Sequence, residues 1–221
     1  MMVDIDILED VRTKLPNVRL GVLEIGVVVE PSDNELLGLM QERIDALSKS
    51  MKTEEVGEIG TVKSSKEAYR LLGKDPSRYR LSADSLLRRV VKGHGLYYVN
   101  NVVDILNYQS ITTGYSICGF DAKCIHGKVV LGLGEKEEAY VGIGRGNINV
   151  ENMPIFRDDF GPFGTPTSDS TRTAVGKKTT SFLMIYVAFD GGVGLEKILD
   201  DTQTLLEKYC SATNGSKRIL K

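Results

Sequence analysis

The sequence has no tryptophan, only two histidines, six prolines and three cysteines, Cys118, Cys124 and Cys210. With no Cys-x-x-Cys pair, and Cys118, Cys124 and His126 at a spacing unlike any common zinc motif, a structural zinc site is not expected. An odd, sparse set of cysteines in a chain of 221 residues reads as reduced thiols, and so as a cytoplasmic protein. No apolar run reaches the ~18 residues of a membrane span. The first residues, Met1 to Asp6, carry acids where a secretory signal needs bases. Charge of either sign is also not in excess. Lys plus Arg is 28 against 30 for Asp plus Glu, a net of −2, so contact with a polyanion has to use a local patch. Gly144-Arg145-Gly146 lacks the strand-to-helix context of a phosphate loop, and no cofactor motif stands out.

What is abundant is glycine, 23 residues, which with few prolines predicts many tight turns and a substantial β component. Leu20–Val29 reads as a buried β-branched strand. Ser32 with Glu35 reads as a capping box before a helix with Leu36, Met40, Ile44 and Leu47 on one face. Helices are expected over Ser65–Leu72, over Ala83–Lys92 with Ser82 as cap, over Val102–Ile111, and over Leu195–Tyr209. Strands are expected at Lys128–Leu131, Glu138–Val141 and Ser181–Phe189, with residues 144–170 irregular. No linker, repeat or regular βαβ rhythm is visible. The expectation is one α+β domain over 1–221, with a strand-helix portion at 1–74.

Four stretches hold residue types able to do chemistry. Residues 78–94 carry Arg78, Arg80, Arg88, Arg89 and Lys92 against Asp84 alone. They suit phosphates along a helix edge, or an ordinary solvated face. Asp104 and Asn107 lie in an otherwise apolar helix and need partners if buried. They either orient a polar ligand or cap a neighbouring loop. Gly161 to Arg172 is rich in small residues around Asp169, which permits close approach of a ligand. Cys118, between Ile117 and Gly119, reads as a small buried hydrophobe, with a Cys–His nucleophile pair as the alternative.

One run is more specific. Asn100-Asn101-Val102-Val103-Asp104-Ile105-Leu106-Asn107-Tyr108 is followed by Gly114 and Ile117-Cys118-Gly119-Phe120-Asp121. This resembles the editing domain of the bacterial phenylalanyl-tRNA synthetase beta subunit, the tRNA-binding "B three–four" domain. That domain has Asn-x-Val-Val-Asp-Val-Thr-Asn-Tyr, then Gly-x-Pro-Leu-His-Ala-Phe-Asp at the same spacing. Looser similarity extends over residues 78–190. Tyr69-Arg70, Gly73, Asp75-Pro76 and Arg78-Tyr79-Arg80 are similar to free-standing relatives of that domain, as is the Asp169-Ser170 pair.

The resemblance implies a mixed α+β fold with helices around a central sheet, and a pocket that includes Leu106, Asn107, Cys118, Gly161 and Asp169. It implies Asn107 near the backbone end of a misattached amino acid and Asp169 at its phenolic hydroxyl. It further implies binding of the tRNA acceptor end or an aminoacyl-tRNA, with hydrolysis of the misacylated ester in trans. Three positions depart from the family: Leu106 replaces its Thr, Cys118 its His and Asp169 its Glu. Those departures favour two other readings, a non-enzymatic module for a free amino acid or metabolite, and a protein-interaction domain. Basic residues 78–94 favour RNA. The chain lacks the ATP-binding and class-defining motifs of a complete ligase.

Overall fold

A computed structural model describes residues 2–221. The chain starts with β1 (Ile5–Ile7) and α1 (Glu9–Lys14), then β2 (Arg19–Gly26) and α2 (Asn34–Ser50). Three further helices follow before the next strand, α3 (Gly60–Leu71), α4 (Ser82–Val91) and α5 (Asn101–Thr113). The middle is β-rich, with β3 (Ser116–Asp121), β4 (Val129–Leu133), the short pair β5 (Val141–Gly142) and β6 (Gly146–Asn147), β7 (Pro154–Asp158) and β8 (Gly161–Gly164). The chain closes with β9 (Ser181–Ala188), α6 (Leu195–Tyr209) and β10 (Thr213–Leu220).

Two four-stranded sheets result. One is antiparallel, in the order β10-β2-β9-β3; the other, β1-β4-β7-β8, is mixed because β1 runs parallel to β4. The α+β class read from the sequence is what the chain adopts. Period-2 alternation explains how the layers meet. From β9, Phe182, Met184 and Tyr186 pack with the helices, whereas Leu183, Ile185 and Val187 pack toward the second sheet. β9 is buried on both faces, hence its continuous apolar run. Among the described residues, no helix is long and apolar enough to cross a membrane.

α5 is framed by local chemistry. Asn100 Oδ1 accepts from the Val103 amide at 2.9 Å, and Gly114 ends the helix at φ +74. Asn101 is buried and cross-links three segments. Its Nδ2 donates to Val28 O and Tyr209 O, and its Oδ1 accepts from the Glu30 amide. Asp104, also buried, accepts from Ser32 Oγ at 2.6 Å and from the Val99 amide at 2.9 Å. Asp104 is therefore the loop cap, not a ligand group.

Several local expectations are corrected. Ser32 does not cap α2, because its hydroxyl is given to Asp104; Asp33 accepts from the Leu36 amide instead. Leu81, not Ser82, is the capping residue of α4, and Ser82 is its first helical residue. Glu138–Val141 forms no strand before Val141, since Glu138 turns to Arg157, at 2.7 Å from Nε. Residues 144–170 contain β7 and β8, whose apolar residues are hidden among glycine, proline and aspartate. β1 and the exposed edge strand β10 carry no apolar run to announce them.

Candidate functional site

At the free edge of β3, where the two sheets come together, lies a cavity of about 330 Å³. That is near the lower end of the roughly 300–1,000 Å³ of small-molecule pockets. α5 contributes Val103, Leu106 and Asn107, an i, i+3, i+4 set on one helix face. β3 contributes Ile117 and Gly119, and the loop after β8 contributes Thr165, Ser168 and Asp169. Val99, Ile143, Ala174 and Val175 complete mostly apolar walls.

The acid-bearing loop is pinned from several directions. Thr165 Oγ1 accepts from the amides of Thr167 at 3.1 Å and Ser168 at 3.0 Å. The Tyr140 hydroxyl donates to Ser168 O at 2.6 Å, and the buried Tyr69 hydroxyl pairs with Thr167 Oγ1 at 3.0 Å. The Ile143 amide donates to Asp169 O at 2.8 Å. A loop held this way presents its side chains without further ordering.

Asp169 Oδ2 accepts from the Gly119 amide at 3.1 Å, while its Oδ1 is shut off from solvent and has no partner among the described residues. Burial pushes this carboxyl up to about 7, against the Gly119 amide, the Cys118 thiol and the Thr165 backbone, which favour the anion. Near neutrality the group is thus able to donate or to accept. Ser82 Oγ, a second buried polar atom without a partner, also borders the cavity. The amide of Asn107 makes no hydrogen bond with the described residues and is open to a ligand.

Of the five residues expected in the pocket, Leu106, Asn107 and Asp169 share this cavity. Cys118 lies behind its wall. Alternation along β3 turns it into the layer between the sheets, where Sγ meets Thr165 O at 3.4 Å and burial raises the thiol well above its ordinary pKa. Gly161 is elsewhere, in the β7–β8 turn at φ +109, its carbonyl accepting from Arg172 Nη2 at 3.1 Å. Arg172 also grips the buried Asp158 carboxylate through both terminal nitrogens, at 2.8 and 3.0 Å.

The glycines that shape the pocket are Gly119 and Gly164. A Cβ on Gly119 would lie 2.4 Å from Leu106 Cδ1. One on Gly164 would lie 2.4 Å from Phe120 Cζ and 3.3 Å from Asp169 Oδ1. Gly164, Thr165 and Tyr140 were not legible as site residues. The one local signal was the Thr165-x-Thr167-Ser168 spacing of a hydroxyl-closed turn.

The basic residues divide. Arg88 Nε reaches Asp84 Oδ1 at 2.9 Å and Arg80 Nε reaches Asp84 Oδ2 at 3.3 Å, so both guanidiniums neutralise one buried carboxylate. Arg88 Nη1 also donates to Thr53 O at 3.0 Å. Arg89 lies 3.9 Å over the Tyr97 ring, Arg78 lies 5.6 Å over Tyr79, and Lys92 is exposed just past the end of α4.

No curated protein sequence matches the chain. Among solved structures, an N-terminal fragment of the phenylalanyl-tRNA synthetase beta-subunit from Pyrococcus horikoshii is similar, at a TM-score of 0.48 and 11% identity. The similarity covers 99% of this chain and 50% of that one, so the chain spans half the fragment's length. The family profile of the B3/4 domain matches residues 64–210, which include α5, β3 and the Asp169 loop. By that match over most of its length, this chain belongs to the B3/4 domain family.

Proposed function

We propose that this pocket receives the amino acid of an aminoacyl-tRNA and that the chain hydrolyses misacylated tRNA in trans. The observation that carries the reading is the buried Asp169 carboxyl, with Oδ1 unpartnered, on the wall of a small, mostly apolar cavity that Asn107 also lines. A polar atom desolvated without a partner costs about 1–3 kcal/mol, a cost that a ligand hydroxyl or amine removes. Apolar walls suit the body of an amino-acid side chain, and Asn107 suits its polar backbone end. A substrate lacking the hydroxyl leaves the acid unpaired and is rejected, which is how one polar group gives large discrimination. Hydrolysis then consists of water adding to the ester carbonyl and the ribose oxygen leaving with a proton. The resemblance of residues 100–121 to the synthetase editing domain supports this substrate class.

A second reading, binding of a free amino acid without hydrolysis, is favoured by Leu106 and Cys118. Leu106 fills the space over Gly119 with carbon, and Cys118 is wholly buried. One assay separates the two. A panel of mischarged tRNAs is incubated with the chain and with Asp169→Ala. Wild-type release of one amino acid, lost in the variant, supports editing. No release, together with binding of a free amino acid that the variant loses, supports the second reading. Neither release nor binding overturns both.

A further inference from the structure

The pocket lies at one edge of the antiparallel sheet, that of β3. At the opposite edge, β10 also has no strand beside it among the described residues. β10 is bulged at its start, between Thr213 and Ser216, where Asn214 has φ +57. From Ser216 to Leu220 it is regular, paired residue for residue with Glu24 to Leu20 of β2. A stretch of that length is an ordinary strand, able to template another.

The groups it offers follow from the ladder. The Val27 amide donates to Thr180 O, on the β9 side, and the Val28 amide to Cys210 O, just ahead of β10. Backbone direction alternates along a strand, so Leu20, Val22 and Glu24 face β10, and their partners Leu220, Arg218 and Ser216 face back. The amides and carbonyls of Lys217 and Ile219 therefore point outward, away from β2.

A groove runs beside these groups. A Cβ on Gly215 would lie 3.1 Å from Gln203 Cδ, so α6 closes on the start of β10. Nearer the first turn of α6, a cavity of about 300 Å³ lies between helix and strand, lined by Glu196, Leu199, Asp200, Lys217, Arg218 and Ile219. Leu199 is buried, and Ile219 packs against the same core, so the floor is apolar. Lys217 pairs with Asp200 across it. An edge strand flanked by such a groove suits an extended chain. Main-chain bonds hold the added strand, and alternate side chains enter the groove.

Charge selects the occupant. Residues 211–221 include Lys217, Arg218 and Lys221 and no acid. Two copies of β10 paired about a two-fold axis would set Lys217 on Lys217 or Arg218 on Arg218 in the central registers. Like charges directly opposite are destabilising. A strand with apolar side chains toward α6 and carboxylates on the Arg218 face meets no such conflict.

We propose that the outer edge of β10 binds an extended acidic segment of a partner protein as a fifth strand, with an apolar side chain of that segment in the groove over Leu199 and Ile219. The added strand is antiparallel, like the other pairings in this sheet. The site is separate from the pocket at β3 and holds whether or not that pocket edits.

The test is a fluorescence anisotropy titration of the full chain with the labelled peptide Ser-Glu-Val-Glu-Leu-Glu-Thr-Gly. It should bind, and the same peptide with Lys in place of every Glu should not. N-methylation of Val and Leu, whose amides face β10 in this pairing, should weaken binding about tenfold, the worth of one or two hydrogen bonds. N-methylation of the first two Glu, whose amides face away, should not. On the protein side, Lys217→Pro lacks an outward amide and should bind about tenfold more weakly than Lys217→Ala, with an unchanged circular dichroism spectrum. No binding of the acidic peptide overturns the proposal. So does equal affinity for the Lys peptide, equal loss with both methylation patterns, or a Lys217→Pro variant that loses only self-association in sedimentation. The peptide arms do not depend on how the variants fold. Release of amino acid from mischarged tRNA should be the same in Lys217→Pro and wild type, so the two sites are read separately.

Discussion

The Gly119 amide and the Asp169 carboxylate, fifty residues apart, meet at 3.1 Å through Oδ2, while Oδ1 is buried with no partner within hydrogen-bond distance among the described residues. A strand edge has an unpaired amide to give, and a loop returning from the other sheet brings the acid to it. The pocket therefore owes its one unsatisfied charge-bearing group to the junction between the sheets. Its pH behaviour follows.

For Asp169 the folded pKa, about 7, lies above the unfolded value of about 3.9. Below pH ~4 both states hold the proton and the contribution to stability is full. As pH rises toward about 7 the unfolded state loses its proton first, so stability falls, and it levels above that. At about 1.4 kcal/mol per pKa unit the total is a few kcal/mol. Urea unfolding at intervals from pH 4 to 8 should show this slope in the wild type and a flatter one in Asp169→Asn. An unchanged slope in the variant refutes the assignment.

Asp158 has the opposite sign. Burial alone would raise its pKa, but two bonds from Arg172 and the amides of His126 and Phe160 more than offset that and hold it below the ordinary range. Its contribution is present above the unfolded pKa of about 3.9 and is lost as pH falls below it. Arg172→Ala leaves a buried carboxylate uncompensated and should cost about 3 kcal/mol or more, measured by denaturant at pH 7. Arg172→Lys should recover only part, since one ammonium does not reproduce the two-pronged contact.

Gly119→Ala places a methyl against Leu106 Cδ1 and Phe182. Overpacking of this kind costs about 1–3 kcal/mol. Adding Leu106→Ala should return much of that loss, giving a favourable coupling in a double-mutant cycle. Strict additivity would mean that the two side chains do not meet in solution.

Burial raises all three thiols, but Cys118 and Cys210 are buried while Cys124 is only partly so. Iodoacetamide on the native protein should therefore modify Cys124 first, with mass spectrometry of the peptides as the readout. Early labelling of Cys118 would place it on the cavity surface and would reopen the nucleophile reading.

Local signals were sufficient wherever a segment's neighbours in sequence supply its partners. The β9 run, the stop of α5 near Gly114, and the need of Asp104 for hydrogen bonds are all written in consecutive residues, because caps and periodicity act over a few positions. The motif from Asn100 to Asp121 likewise placed Leu106 and Asn107 together. What the tertiary structure decided depends on distant pairs. Ser32 was drawn from a capping role by Asp104, 72 residues away. β10 is a strand because β2 offers a free edge, not because Thr213–Leu220 is apolar. Cys118 turns from the pocket because pairing with β9 sets which face of β3 meets the second sheet. Gly164, rather than Gly161, stands beside Asp169 because Phe120 occupies the space a side chain would need. Composition records which residues are small or charged. Only the packed chain determines which surfaces they confront, since alternation fixes a strand's two faces but not which distant strand or helix packs on each.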